Sequence, residues 1–136
     1  MTDAEVAAAF AVLADRLIPA ALGMPAASTA ADLEVGLANV LNSRPDLRAD
    51  IMRGLRAVHE SSADAAVETL QSSDREAWTA LGLAAASIYY SAPPVEALLG
   101  YRGPERRTYD ADATPPYIAN GMLDVVRRRG PIWRKA

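Results

Sequence analysis

The sequence predicts an all-α protein, a small helical bundle of about five helices with an extended, Pro/Tyr-rich C-terminal arm. Three observations predict this fold class. Apolar residues recur at spacings of three and four through the first hundred residues. No stretch long enough for a β-strand alternates apolar and polar residues. Proline, glycine and capping residues separate the helical stretches. A chain of 136 residues has the size of a single domain, with the bundle in residues 1–100 and the arm in residues 101–136.

The first half of the chain contains three predicted helices. Thr2 or Asp3 can cap the first, whose apolar face repeats at spacings of four and three (Val6, Phe10, Leu13, Leu17). After the break at "IPAALGMPAAS", the second helix covers about Ala30–Asn42. Ser43 can cap the third, and Pro45 suits its first turn. Its apolar face is formed by Leu47, Ile51, Leu55 and Val58.

The second half of the bundle begins with a short helical segment, "SADAAVETL", at Ser62–Leu70. The sequence "SDRE" at Ser73–Glu76 has the pattern of a capping box and predicts the start of a long alanine-rich helix that reaches about Tyr90. Its inward residues are expected to be Trp78, Leu81, Ala85 and Ile88. Two prolines from Pro93 onward stop this helix, and "VEALLG" adds one or two turns that end on Gly100.

The last third of the chain differs in composition. Six of the nine prolines lie between Pro93 and Pro131, and all five tyrosines lie between Tyr89 and Tyr117. Residues 101–136 carry 8 basic against 4 acidic side chains, whereas residues 1–100 carry 6 against 13. One weak helix is predicted from about Tyr117 to Arg128. The chain is therefore an acidic helical body with a basic arm.

The tyrosines and prolines of this region predict a protein contact. Tyrosine offers a large contact area with a polar tip, and proline lowers the cost of ordering an extended chain on another surface. A loop wrapped over the bundle's own surface is the alternative. If the arm packs on a partner, the residues expected to bind it are Tyr89, Tyr90, Tyr101, Arg102, Arg106, Arg107, Tyr109, Tyr117 and Trp133.

Few residues suggest catalysis. The absence of cysteine excludes disulfides, thiolate metal sites and cysteine nucleophiles, and a single histidine excludes multi-histidine zinc sites. His59 beside Glu60 fits a helix C-terminus better than a catalytic dyad, because adjacent helical residues point in different directions. We therefore predict no catalytic, cofactor-binding or metal-binding residues. Two alternatives stay open: a stand-alone small enzyme that uses His59, and an anion- or nucleic-acid-binding module that uses the C-terminal arginines around Arg127–Arg129.

The N-terminus has three acidic residues before its first arginine, and no apolar run approaches the roughly 20 residues of a membrane span. These features predict a cytoplasmic protein without a membrane span.

Three stretches of the sequence resemble the gluconate 2-dehydrogenase subunit 3 family. They are "LADRLIPA" at Leu13–Ala20, "IYYSAPPVEALLGYRGP" at Ile88–Pro104 and "TPPYIANGMLDVVRRRGPIWR" at Thr114–Arg134. The resemblance implies a non-catalytic, cofactor-free small subunit. It would bind and stabilise a large FAD-dependent sugar or alcohol dehydrogenase similar to the glucose–methanol–choline (GMC-type) oxidoreductases. The complex would be a hetero-oligomer with FAD in the partner subunit.

Many members of that family carry a twin-arginine signal, and this sequence shows none. The difference favours a cytoplasmic complex. Export to the periplasm with a signal-bearing partner is the alternative. The family offers no catalytic residues to assign to positions of this chain, in agreement with the scarcity of catalytic motifs.

Overall fold

A computed structural model describes residues 1–104 and 119–131 of the chain. The regular elements within these two ranges are helices, apart from one isolated β-bridge between Ala21 and Met24. The predicted all-α class is therefore confirmed. The chain divides into two units, Met1–Gly103 and Pro104–Ala136.

The first unit contains seven α-helices and one short 3₁₀-helix. In chain order they are α1 (Asp3–Leu17), α2 (Ala27–Ala30), α3 (Leu33–Ser43), the 3₁₀-helix (Pro45–Leu47), α4 (Arg48–Glu60), α5 (Ala63–Ser73), α6 (Arg75–Tyr90) and α7 (Pro93–Leu98). The five longest, α1, α3, α4, α5 and α6, correspond to the five helices that the apolar spacing predicts. In the second unit, α8 (Asp124–Arg129) covers the end of the helix predicted from about Tyr117 to Arg128. Ala119 is also helical, and the predicted start near Tyr117 lies outside the described residues.

The start of α1 confirms one predicted cap. Thr2 and Glu5 form a capping box: the Thr2 hydroxyl accepts from the Glu5 backbone N–H (3.3 Å), and the Glu5 carboxylate accepts from the Thr2 backbone N–H (2.7 Å). The latter hydrogen bond is the main cause of the lowered pKa of Glu5.

Two other predicted caps are wrong. Ser73 is the last residue of α5, and the cap of α6 is Asp74, whose carboxylate accepts from the Ala77 backbone N–H (3.0 Å). Ser43 likewise ends α3, and its hydroxyl donates back to the Asn39 carbonyl oxygen (2.8 Å). In both cases the preceding helix extends onto the serine, so its hydroxyl is no longer placed ahead of the next helix.

The core of the first unit lies where α4 packs against α1 on one side and α6 on the other. Phe10, Leu13, Ile51, Leu55 and Leu81 are fully buried there. Leu81, Ala85 and Ile88 of α6 face inward as predicted, whereas Trp78 is half-buried at the edge of the core. Further alanines of α6 are buried beside them: Ala77, Ala80 and Ala84. Small side chains on α6 allow α4 to lie close to it.

An ion-pair cluster joins α4 to the start of α6. The Arg53 guanidinium donates from Nε to Asp74 Oδ2 (2.6 Å) and from Nη2 to Asp74 Oδ1 (2.9 Å), and its Nη1 lies 2.8 Å from Asp50 Oδ1. This two-point contact holds the carboxylate that also caps α6. The Arg53 hydrogen bonds lower the pKa of Asp74 from 3.8 to about 2.

The lowered pKa of Asp74 predicts a loss of stability in acid. Because the folded-state pKa lies below the unfolded value, the contribution of Asp74 is fully present above about pH 4 and disappears as the pH falls to about 2. We expect Asp74→Asn to lower the melting temperature at pH 7. The difference in melting temperature between this variant and the unmodified chain should shrink as the pH falls from about 4 to about 2. Thermal melts followed by circular dichroism at a series of pH values measure this difference. Glu68→Gln, on the exposed face of α5, is the control. The prediction is contradicted if the difference in melting temperature stays constant with pH, or if Glu68→Gln produces the same pH-dependent difference.

Candidate partner-binding surface

An open, largely apolar pocket, here called the tyrosine pocket, lies between the end of α6 and the C-terminal end of α7. Its volume is about 470 Å³, and it is lined by Tyr90, Glu96, Leu99, Gly100 and Tyr101. The three large apolar side chains of this set are each more than half exposed, at 58% for Tyr90, 56% for Leu99 and 58% for Tyr101. Leu98, the neighbouring residue of α7, is exposed to the same degree. Such a concentration of exposed apolar side chains is typical of a contact surface.

The backbone after α6 builds the pocket. Pro93 occupies the first turn of α7, where its missing N–H is not needed. At the other end, Gly100 has a φ of 68° and ends α7 in a Schellman motif. The Gly100 N–H donates to the Ala97 carbonyl oxygen (3.1 Å), and the Tyr101 N–H donates to the Glu96 carbonyl oxygen (2.9 Å). These two bonds turn the chain back and hold Tyr101 beside α7.

Tyr90 forms the other wall of the pocket, and its ring packs against the ring of Tyr89. Tyr89 is only 2% exposed, and its hydroxyl donates to the Pro25 carbonyl oxygen (2.9 Å). The two rings pack edge to face, with centroids 5.3 Å apart and an interplanar angle of 83°. Tyr89 therefore lies in the core and offers no contact surface, although the sequence placed it among the partner-binding residues. Tyr90 alone of the pair is presented outward.

The remaining predicted contact residues are only partly within the described ranges. Arg102 follows the pocket and is exposed. The others, which are Arg106, Arg107, Tyr109, Tyr117 and Trp133, lie outside the described residues. In the second unit, the arginines of the last turn of α8, Arg127–Arg129, are exposed, and the Arg128 Nε donates to the Asp124 carbonyl oxygen (3.3 Å).

His59, the residue of the alternative enzyme hypothesis, is exposed at the end of α4. It borders a cleft of about 410 Å³ between α1 and α4, together with Glu5, Ser61 and Ser62. Those polar groups serve helix ends: the Glu5 carboxylate belongs to the capping box of α1, Ser61 donates to Ala57 (2.7 Å), and Ser62 caps α5. In the described part of the chain, none of their hydrogen bonds reaches His59. The cleft thus shows no oriented acid–base pair.

Glu96 and Leu99 are the pocket residues that the sequence interpretation missed. Leu99 and Gly100 follow Glu96 by three and four residues, so all three lie on one side of α7 and its C-terminal cap. The predicted helix end at Gly100 could have identified them. A glycine at the C-terminal end of a helix places the following residue, here Tyr101, back against the last helical turn.

Within residues 1–104 and 119–131, no group of three His, Cys, Asp or Glu side chains is placed to hold a metal ion. No helix in these ranges is long and apolar enough to cross a membrane. Comparisons of the chain with protein-family models, with curated proteins and with solved structures find no match. The resemblance to the gluconate 2-dehydrogenase subunit 3 family therefore stays a prediction.

Proposed function

We propose that this chain is a non-catalytic small subunit that binds and stabilises the catalytic subunit of an FAD-dependent, GMC-type sugar or alcohol dehydrogenase. The observation that carries the proposal is the tyrosine pocket. Its rings and Leu99 are exposed, and they are held in place by the Schellman motif and by the buried Tyr89. Side chains that are already ordered lose little entropy when a partner covers them, so such a surface favours protein binding.

The identity of the partner rests on the sequence resemblance. The stretch Ile88–Pro104, which resembles the gluconate 2-dehydrogenase subunit 3 family, is the same stretch that forms the tyrosine pocket. One of the three resembling stretches therefore contains the contact surface, as a shared class of partner would produce. In this proposal FAD belongs to the partner, and the basic C-terminal arm adds a second contact to it.

The proposal predicts that the pocket is needed for complex formation. A tagged full-length chain, expressed in the source organism, should co-purify with a large protein and with flavin absorbance. The double variant Tyr90→Ser/Tyr101→Ser should reduce the amount of that protein by about tenfold or more, because two contact side chains of hot-spot type are removed. Mass spectrometry of the eluate and its absorption spectrum provide the measurement.

The matched control is Leu83→Ser, which removes an exposed apolar side chain (51%) from α6 away from the pocket. It should leave the co-purified protein unchanged. Both variants should retain the helical circular dichroism spectrum of the unmodified chain. If the flavoprotein is retained by the double variant, the tyrosine pocket is not the contact that forms the complex. If the unmodified chain purifies alone and colourless, the proposed function is wrong.

A further inference from the structure

We propose that the tyrosine pocket receives the guanidinium group of an arginine side chain from the partner protein. The inference rests on the proposed function, because it names the chemical group of the partner that fills this surface. It is drawn from the composition of the pocket walls: two exposed tyrosine rings, one carboxylate and one leucine.

The carboxylate comes from Glu96. Glu96, Leu99 and Gly100 are spaced so that they lie on one face of α7 and its C-terminal cap. The Cα–Cβ bond of Glu96, like that of every helical residue, tilts toward the start of α7. Tyr90 lies at that end, three residues before Pro93. Glu96 takes part in none of the ion pairs formed between the described residues.

The rings add to the attraction for a cation. The face of a tyrosine ring carries partial negative charge, and a cation held over it is stabilised electrostatically. Tyr90 and Tyr101 are both exposed, and both line the pocket with Glu96. The first unit as a whole also has a negative net charge, since residues 1–103 carry 13 acidic side chains and 7 arginines. An excess of negative charge accelerates the approach of a basic partner surface.

Arginine fits these walls better than lysine. Its planar guanidinium can stack on a tyrosine ring while it donates two hydrogen bonds to one carboxylate, whereas a lysine ammonium is a compact and strongly hydrated charge. The methylene stem of arginine also needs an apolar wall, which Leu99 provides. Arg102 follows the pocket in the sequence and is not among the residues that line it.

The test is a titration of the full-length chain, carrying ¹³C-labelled tyrosine rings, with N-acetyl-arginine-N-methylamide. The ring resonances of Tyr90 and Tyr101, assigned with single Tyr→Phe variants, are followed by NMR. We expect saturable shifts of both rings, with a dissociation constant on the order of 10 mM, as suits a single side chain. N-acetyl-citrulline-N-methylamide has nearly the same shape without the charge, and we expect it to bind at least about fivefold more weakly.

Two variants identify the carboxylate. Glu96→Gln should weaken binding of the arginine probe by about two- to fivefold, as expected for an exposed ion pair, and Glu68→Gln on α5 should leave it unchanged. Circular dichroism melts verify that both variants are folded. Equal shifts from the citrulline probe, or an unchanged affinity after Glu96→Gln, would overturn the arginine inference.

This experiment and the co-purification experiment fail independently. If the double tyrosine variant loses the flavoprotein while citrulline and arginine probes bind equally, the pocket binds the partner through apolar contact and only the arginine inference is wrong. If the arginine probe binds selectively while the unmodified chain purifies alone and colourless, the pocket recognises arginine but the proposed function is wrong.

Discussion

The Phe10→Ala variant is expected to lose about 3–5 kcal/mol of its free energy of unfolding. Phe10 is the only phenylalanine in the chain, and it is fully buried in the middle of α1. Of the 23 buried hydrophobic side chains in the described residues, ten are alanine, so a few large residues supply most of the buried apolar area. Short alanine side chains cannot extend into the space that the ring would leave, and the resulting cavity should stay largely open.

Val12→Ala is the matched control for this variant. Val12 lies on the same helix but is 55% exposed, so its truncation should change the free energy of unfolding by no more than about 0.5 kcal/mol. Urea unfolding followed by circular dichroism gives both values. The expected loss is a large share of the roughly 5–15 kcal/mol that stabilises a typical domain, so the Phe10 variant is best measured at low temperature. A loss below about 1 kcal/mol would show that Phe10 is not central to the core.

The helices of the first unit were largely predictable because each has one apolar face. The spacing of Ile51, Leu55 and Val58 gave the buried face of α4, and the structure buries all three. The exact helix starts were less predictable. Ser73 and Asp74 are both good capping residues, and Asp74, the actual cap, is also bound by Arg53, which lies 21 residues earlier in the chain. A pattern read along the sequence does not contain that contact.

The tyrosine pocket was predictable in part. Composition alone drew attention to Tyr90 and Tyr101, and both are exposed on the same surface. Composition also selected Tyr89, which is buried, although helical spacing favoured an inward position because Tyr89 follows Ala85 by four residues. Exposure of a tyrosine depends on which face of the helix it occupies, so spacing is the better guide within α6. Glu96 was missed, although it lies four residues before the predicted helix end at Gly100.

Two of the helical glycines in the described residues, Gly54 and Gly82, allow a further stability prediction. Gly54 of α4 faces α6: a Cβ added there would collide with Leu81 Cδ1 and lie 3.3 Å from the Ala77 Cβ. At Gly82 of α6 the same added group would meet no atom within 4 Å apart from its chain neighbours and the nearby backbone of its own helix. Since both glycines lie inside helices, alanine at either position gains about the same helix propensity, roughly 0.8–1 kcal/mol. Gly82→Ala should therefore stabilise the protein by about that amount.

Gly54→Ala should be less stable than Gly82→Ala by about 1–3 kcal/mol, which is the usual cost of adding a methyl group to a filled core. Leu81 is fully buried, so its side chain cannot move into solvent, and either α4 and α6 separate or Leu81 adopts another rotamer inside the core. Urea unfolding of the two variants and the unmodified chain measures the difference in free energy of unfolding between the variants. The gain in helix propensity is the same for both variants, so it cancels in this difference. Equal stabilities would mean that Leu81 changes rotamer at little cost. A difference of the expected size would show that the close approach of α4 to α6 at Gly54 stabilises a core that contains few large side chains.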